Sequence, residues 1–378
     1  MPRILIDCRY LNGRPSGIGE MVLALATYLP RQAPDLKFTF LTNAAAPQPL
    51  RNDANVTCLQ VAAPANGPGT MWFMPRLVDL DHIDLFHAPA NILPAGLTMP
   101  TVTTIHDLMW LEHPEWCSPG LLHPVRKAFF AGGIRRALRR STSIAAISDA
   151  TATAITRHFP DAAMRTHVTL SGVSEDFSPV QRNAGVLAGC GLDPERRYIL
   201  VVGQYAPYKN HDGAIRAFAA ACKTIDDIDL VLVQRQGPSS AALLKLARQL
   251  GMEDRVRFTG PVERAELIQL YSSAELLLHP SLCEGFGNPV IEAMACGCPV
   301  ITSSISAMPE VAGGAALLAD PHDTNDLARQ IREVLGDDGL AQDLRRRGHA
   351  RAKEMRWERF AEANLAIYRR VLGKQKAS

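Results

Sequence analysis

Nowhere in the 378 residues do about 18 uncharged apolar residues run together, so no membrane-spanning helix is expected. The opening stretch, MPRILIDCRYLNG, has Asp7 interrupting a short apolar run, which excludes the apolar core of a secretory signal. The expected location is therefore the cytosol. Neither sign of charge dominates, with Lys+Arg 40 against Asp+Glu 38, so the chain has no field that would recruit nucleic acid. The eight cysteines contain no C-x-x-C and read as reduced thiols that fill space as small hydrophobes. His279, Cys283, Cys296 and Cys298 stand close in sequence, but only one residue separates Cys296 from Cys298, which fits no zinc module. No metal site is expected there.

What is present points to two linked domains of roughly 180 residues each, the ordinary outcome for a chain of this length. Short β-type runs alternate with helix-length segments from end to end, the pattern of parallel sheets covered by helices. Strands are expected at 4–7, 38–41, 85–87, 102–105 and 144–147, and again at 199–202, 230–233, 256–258, 276–279 and 300–302. Most are near-continuous apolar runs, as in strands buried on both faces. The fold class is α/β, with two Rossmann-like doubly wound domains. Polar and turn-forming residues over 171–196 mark the boundary, giving domains at 1–175 and 176–356. The tail at 357–378 reads as a helix that can cross back to the first domain. Ligands of such sheets bind beyond the carboxyl ends of the strands, so residues just after strands are the informative ones.

The stretch SLCEGFGNPVIEAMACGCPV follows one strand, passes through a glycine-rich turn and enters a helix, with Asn288 expected as N-cap and Pro289 as the first helical residue. Gly285, Phe286 and Gly287 form the turn, where a backbone without side chains and the free N–H groups of a helix start favour an anion such as a diphosphate. A carboxylate facing that anion would be repelled, so Glu284 and Glu292 are matched to neutral hydroxyls, Glu292 to a ribose and Glu284 to a sugar ring. The same residues read equally as a helix-dipole glutamate and a solvated turn residue.

At this point the sequence resembles the family 4 retaining glycosyltransferases, whose E-x7-E signature is similar to CEGFGNPVIEAMACGCPVITSSISAMPEVAGGAALLADP. VVGQYAPYKNHDGAIRAFAAA resembles that family's strand-loop-helix with a phosphate-binding lysine, and TTIHDLMWLEHPEWCSP resembles its first-domain loop with a His-Asp pair. The resemblance spans nearly the whole chain and implies the GT-B fold, two Rossmann-like domains facing across a cleft. It implies Lys209 as the cation on the diphosphate, Glu284 on the transferred sugar and Glu292 on the ribose. His106 is the catalytic candidate of the first domain and Asp107 an acceptor-side one, although the pair also reads as a cap of the following segment. The family commonly has an arginine where Gln204 stands, and Arg235 after the next strand is the candidate substitute. Gly17 and Gly19 resemble the family's glycine loop; a dinucleotide fingerprint would need a third glycine, and residue 22 is Val. Glu310, Asp7 and Arg9 also follow strands and rank lower.

The function the resemblance implies is transfer of a hexose, with mannose favoured, from a nucleotide diphosphate sugar to a glycan or lipid-linked acceptor. It is expected to proceed with retention and without a metal or other cofactor, no Asp-x-Asp pair being assigned to a divalent ion. The subgroup resembled is that of bacterial polysaccharide and O-antigen assembly. A sugar-phosphate synthase or phosphorylase of the same fold, and a non-catalytic nucleotide-sugar-binding subunit, remain as alternatives. The run RKAFFAGGIRRALRRS, with Arg126, Lys127, Arg135, Arg136, Arg139 and Arg140, is a candidate contact for an anionic membrane surface and equally a solvated helix face.

Overall fold

The structure is a computed structural model that describes residues 1–11, 16–46, 50–117, 122–235 and 237–377. The chain divides into two compact units: unit 1 comprises Met1–Gly172 and Arg356–Ser378, and unit 2 comprises Val173–Met355. Residues 173–196, within the stretch marked as the boundary, belong to unit 2. Arg182 explains this, because its guanidinium donates to the carbonyls of Ser273, Pro194 and Arg196, while Leu187 and Leu192 are buried. The two crossings run side by side: a Cβ on Gly172 would collide with the backbone of Arg356 and Trp357, and Val173 N–H donates to Met355 O at 3.0 Å.

In unit 1 the strands are β1 (Arg3–Asp7), β2 (Lys37–Thr42), β3 (Val56–Gln60), β4 (Leu85–Ala88), β5 (Thr101–Ile105), β6 (Ser143–Ala146) and β7 (Thr166–Val168). They form one parallel sheet in the order β3-β2-β1-β4-β5-β6-β7. Unit 2 contains β8 (Arg197–Val202), β9 (Ile228–Val233), β10 (Val256–Phe258), β11 (Leu276–His279), β12 (Val300–Ser303) and β13 (Leu317–Ala319), parallel in the order β10-β9-β8-β11-β12-β13. The fold class is thus two doubly wound α/β sheets.

Burial shows why these segments are strands. Every position of β9 is buried, as in a strand covered on both faces. Its one carboxylate, Asp229, is tolerated because Arg196 and Arg257 pair with it at 2.7 and 3.5 Å. Leu5, Phe86, Ile105 and Ile144 are in the core of unit 1; Ile199, Leu232, Leu278 and Ile301 are in that of unit 2. The helix Trp357–Ala377 completes unit 1, where Phe360, Ala361 and Tyr368 are at most 1% exposed.

The direction of winding reverses between β1 and β4 in unit 1 and between β8 and β11 in unit 2. At such a switch point the loops leaving adjacent strand ends run to opposite faces and open a crevice for a ligand. In unit 2 those two loops are the ones that carry Lys209 and Glu284.

Candidate functional site

The loop after β8 ends in the 3-10 turn Pro207–Lys209 and is stitched to the loop after β11 at three points. Leu282 N–H donates to Tyr208 O at 2.7 Å, and the Asn210 amide donates to Pro280 O at 3.1 Å and to Pro321 O at 2.8 Å. Asn210 itself adopts a left-handed conformation (φ 55°) and caps the helix His211–Cys222, its side-chain Oδ1 accepting from Gly213 N–H. The third stitch is the Lys209 ammonium, which donates to Glu284 Oε1 at 2.5 Å. Two residues read as gripping separate parts of a ligand are therefore ion-paired with one another.

Glu284 is held from several sides. Ser281 Oγ donates to Oε1 at 2.8 Å, and His279 Nε2 lies 3.2 Å from the same oxygen. On the main chain, Ser306 Oγ accepts from Glu284 N–H at 2.9 Å and donates to Glu284 O at 2.8 Å. Burial pushes the carboxyl toward its neutral form, but Lys209 and His279 outweigh it and draw its pKa down to about 2. His279 moves down because burial outweighs the help of Glu284, so the imidazole is neutral.

The turn Gly285–Gly287 leads into the helix Asn288–Ala295. Here the structure corrects the expected cap. Gly287, at φ 99°, is the N-cap, Asn288 is the first helical residue and Pro289 the second. Gly287 turns the chain through a conformation open to glycine, and a Cβ there would strike the Met308 methyl. Phe286 is buried beneath the turn, and Glu292 is half-buried with Oε2 accepting from the buried Tyr271 hydroxyl at 2.9 Å. Gln204 and Arg235 are both exposed at neighbouring strand ends, where Arg235 N–H donates to Gln204 Oε1 at 3.2 Å. Glu310 lies in the short helix Met308–Ala312, which begins at the methionine that meets Gly287.

In unit 1, His106 follows β5 and is anchored three ways. Its N–H donates to Asn91 Oδ1 at 2.7 Å, its carbonyl accepts from Thr151 Oγ1 at 3.1 Å, and Nε2 lies 2.9 Å from Pro89 O. A carbonyl only accepts, so Nε2 carries the proton and, with burial holding the ring neutral, Nδ1 is an acceptor. Asp107 accepts from Met109 N–H at 3.0 Å, two residues on, just before the helix Met109–Glu112 whose N-cap is Leu108. Gly19 is a correction: its amide donates to the Ser16 hydroxyl that caps the helix Gly17–Gln32, and the residue is buried, so that N–H is not available to a phosphate. Gly17 opens the helix and is exposed, while residues 12–15 of that loop lie outside the described residues. Asp7 and Arg9 form a buried ion pair at 2.6 Å, with Arg9 also on Ala63 O and Thr70 Oγ1, and are structural.

The sequence does contain two Asp-x-Asp spacings, at 79/81 and 227/229, and neither meets a strand's carboxyl end. Asp79 and Asp81 precede β4, and Asp229 sits at the start of β9 in its arginine pairs. Among the described residues no cluster of three or more His, Cys, Asp or Glu side chains is placed to hold a metal ion.

The basic run is the helix His123–Arg140. Its Ile134 and Leu138 are core residues, and Phe129 and Phe130 are half-buried against Trp72 and Trp110, so these apolar side chains are not a free face. Exposed apolar surface lies instead at Leu122 (64%), Val125 (67%), Trp72 (47%) and Phe73 (48%), the last two on the helix Pro68–Leu77. Arg76 lies over Phe73 at 5.4 Å, Arg126 and Lys127 are exposed, and neither helix has a carboxylate. No helix among the described residues is long and apolar enough to cross a membrane.

Residues 189–351 match the family described as Glycosyl transferases group 1, and residues 15–177 match Glycosyltransferase Family 4. The O-antigen chain mannosyltransferase B of Escherichia coli is 31% identical over 289 residues, covering 75% of this chain and 74% of that protein. Among solved structures, sucrose-phosphate synthase from Thermosynechococcus elongatus superposes with a TM-score of 0.74 at 20% identity, over 99% of this chain and 100% of its own. The Anabaena protein HepE in complex with UDP and glucose gives 0.69 at 19% identity over the full length of both chains.

Proposed function

We propose, from the premise that the chain belongs to the family 4 glycosyltransferases of the GT-B fold, that it transfers a hexose from a nucleotide diphosphate sugar to a glycan or lipid-linked acceptor. Mannose is the favoured sugar, supported by the likeness to an O-antigen mannosyltransferase. One observation carries the donor reading: an ammonium and a carboxylate meet at the switch point of unit 2, beside the start of the helix Asn288–Ala295 that carries Glu292. Lys209 takes the diphosphate, Glu284 a sugar hydroxyl and Glu292 the ribose hydroxyls, while the exposed Arg235 beside Gln204 adds a second cation.

The chemistry follows from charge. As the bond from the anomeric carbon to the diphosphate oxygen breaks, its electron pair stays on that oxygen, and Lys209 with the helix N–H groups stabilises the growing charge without a metal. The acceptor hydroxyl attacks from the same face, its proton passing to the departing phosphate oxygen, so the configuration is retained. Glu284 and Glu292 bind and orient; neither needs to move a proton. His106 remains the catalytic candidate of unit 1.

The test is a thermal-shift panel of GDP, UDP, GDP-mannose and UDP-glucose on wild type and Glu292→Ala. A ligand of the native state raises the midpoint by mass action. The expected result is a shift for wild type and a loss of most of it in the variant; identical responses would overturn the ribose assignment.

The acceptor side is supported by the exposed Trp72, Phe73, Leu122 and Val125 beside Arg76, Arg126 and Lys127. Aromatic and aliphatic tips among cations suit an anionic bilayer surface, where a lipid-linked acceptor is presented. Vesicles of phosphatidylglycerol should sediment the protein, vesicles of phosphatidylcholine alone should not, and Trp72→Ala/Phe73→Ala should abolish the difference.

A further inference from the structure

His279 has no part in the assignments above, yet its setting is specific. It is the last residue of β11, 2% exposed, and its carbonyl accepts from Thr302 Oγ1 at 3.0 Å. Its Nε2 lies 3.2 Å from Ser281 Oγ and 3.2 Å from Glu284 Oε1. Elimination fixes the tautomer. A carboxylate only accepts, and the single Ser281 proton goes to Glu284 Oε1, so the imidazole nitrogen facing both oxygens must carry its own hydrogen.

Three donors then converge on one oxygen, Glu284 Oε1: the Lys209 ammonium, the Ser281 hydroxyl and the His279 N–H. Glu284 Oε2 makes no hydrogen bond among the described residues. The donors are unequal. Ser281 is fully buried and His279 sits in a strand, so neither can leave without stranding a polar group in the interior. Lys209 is a charge on a flexible stem, the donor that another anion can draw away.

We propose that His279 is a positioning residue which, with Ser281, keeps Glu284 in place when the Lys209 ammonium leaves it for the diphosphate of an incoming donor, so that Oε2 stays available to the sugar. The inference rests on the donor reading given above. Without the imidazole N–H, the carboxylate loses one of the two neutral donors that fix its rotamer, and the grip on the sugar loosens while the grip on the phosphates does not.

Calorimetric titration separates the two grips. Wild type, His279→Phe, which keeps the ring bulk without a donor, and His279→Gln, whose amide returns an N–H near Nε2, are each titrated with GDP, GDP-mannose, UDP and UDP-glucose. The expected result is that His279→Phe weakens the nucleotide sugar by roughly tenfold relative to its own nucleoside diphosphate, and that His279→Gln restores most of the loss. Equal weakening of both ligands, no weakening of either, or a glutamine variant that behaves like phenylalanine would overturn the proposal. Should His279→Phe not fold, Ser281→Ala removes the companion donor and carries the same expectation and the same refutation. A wild type that binds none of the four ligands brings down the donor reading itself, and this inference with it.

Discussion

A carboxylate as enclosed as Glu284 is ordinarily pushed toward its neutral form, and it is Lys209 and His279 that pull it down from 4.5 to about 2. A folded-state value below the unfolded one stabilises the native protein above the unfolded pKa. That stability is present above about pH 4.5 and drains away as the pH falls toward 2; the shift corresponds to roughly 3 kcal/mol. Glu284→Gln removes the titration. The expected outcome is a midpoint gap between wild type and variant that is widest above pH 5 and narrows by pH 3 in thermal melts; a constant gap would refute it. Gly287 supplies a second expectation at this scale. Gly287→Ala forces a side chain into φ 99° and against Met308, at a cost of about 1–3 kcal/mol. Adding Met308→Ala relieves the collision but not the backbone, so melts of the double variant should recover only part of the loss. The sequence showed which side chains stand at strand ends, but not that Lys209 and Glu284 touch, because that depends on β8 lying beside β11 across 75 residues of chain. The same blindness put His279 with the cysteines rather than with the carboxylate it faces. Strand order, inferred from the doubly wound pattern, was the one available signal.

Among elements, most of the legible strands were near-continuous apolar runs, although Val256–Phe258 carries Arg257. The three not foreseen, β3, β7 and β13, all lie at sheet edges. Only Ala319 among their residues is buried, so Thr57, Gln60 and Thr166 appear where a two-sided strand would have hydrophobes. The tail helix was foreseen from its apolar positions, but its polar tie was not. The Tyr368 hydroxyl meets His87 Nδ1 on β4 at 2.5 Å, while His87 Nε2 pairs with Thr104 Oγ1 at 2.8 Å. Burial, with His106 nearby, holds His87 neutral, its pKa lowered to about 3. Tyr368→Phe keeps the ring and strands that nitrogen in the core. A loss of about 1–3 kcal/mol in denaturant melts is expected, and an unchanged midpoint would show that the tie contributes nothing.

For the molecule as a whole, all four tryptophans, Trp72, Trp110, Trp116 and Trp357, fall in unit 1, so indole emission reports that unit alone. A chain ending at Met355 keeps three of these reporters and lacks the helix that buries Phe360, Tyr368 and Val371. Burying each such side chain contributes roughly 1.5–3 kcal/mol. The emission midpoint should therefore drop sharply or vanish in urea melts; a midpoint equal to the full chain's would mean the helix is dispensable. Residues 173–196 lack a strand or long helix, yet Arg182 and Leu187 bind them into unit 2.

That helix has a consequence for how the protein is made. Unit 1 is interrupted in sequence, its sheet emerging from the ribosome first and its closing helix only after all of unit 2. At about 5–20 residues per second the interval is on the order of ten to forty seconds. Throughout it the nascent sheet holds His87 without its tyrosine and leaves open the surface that Phe360 will cover, while unit 2 gains its last residue, Met355, just before the closing helix begins.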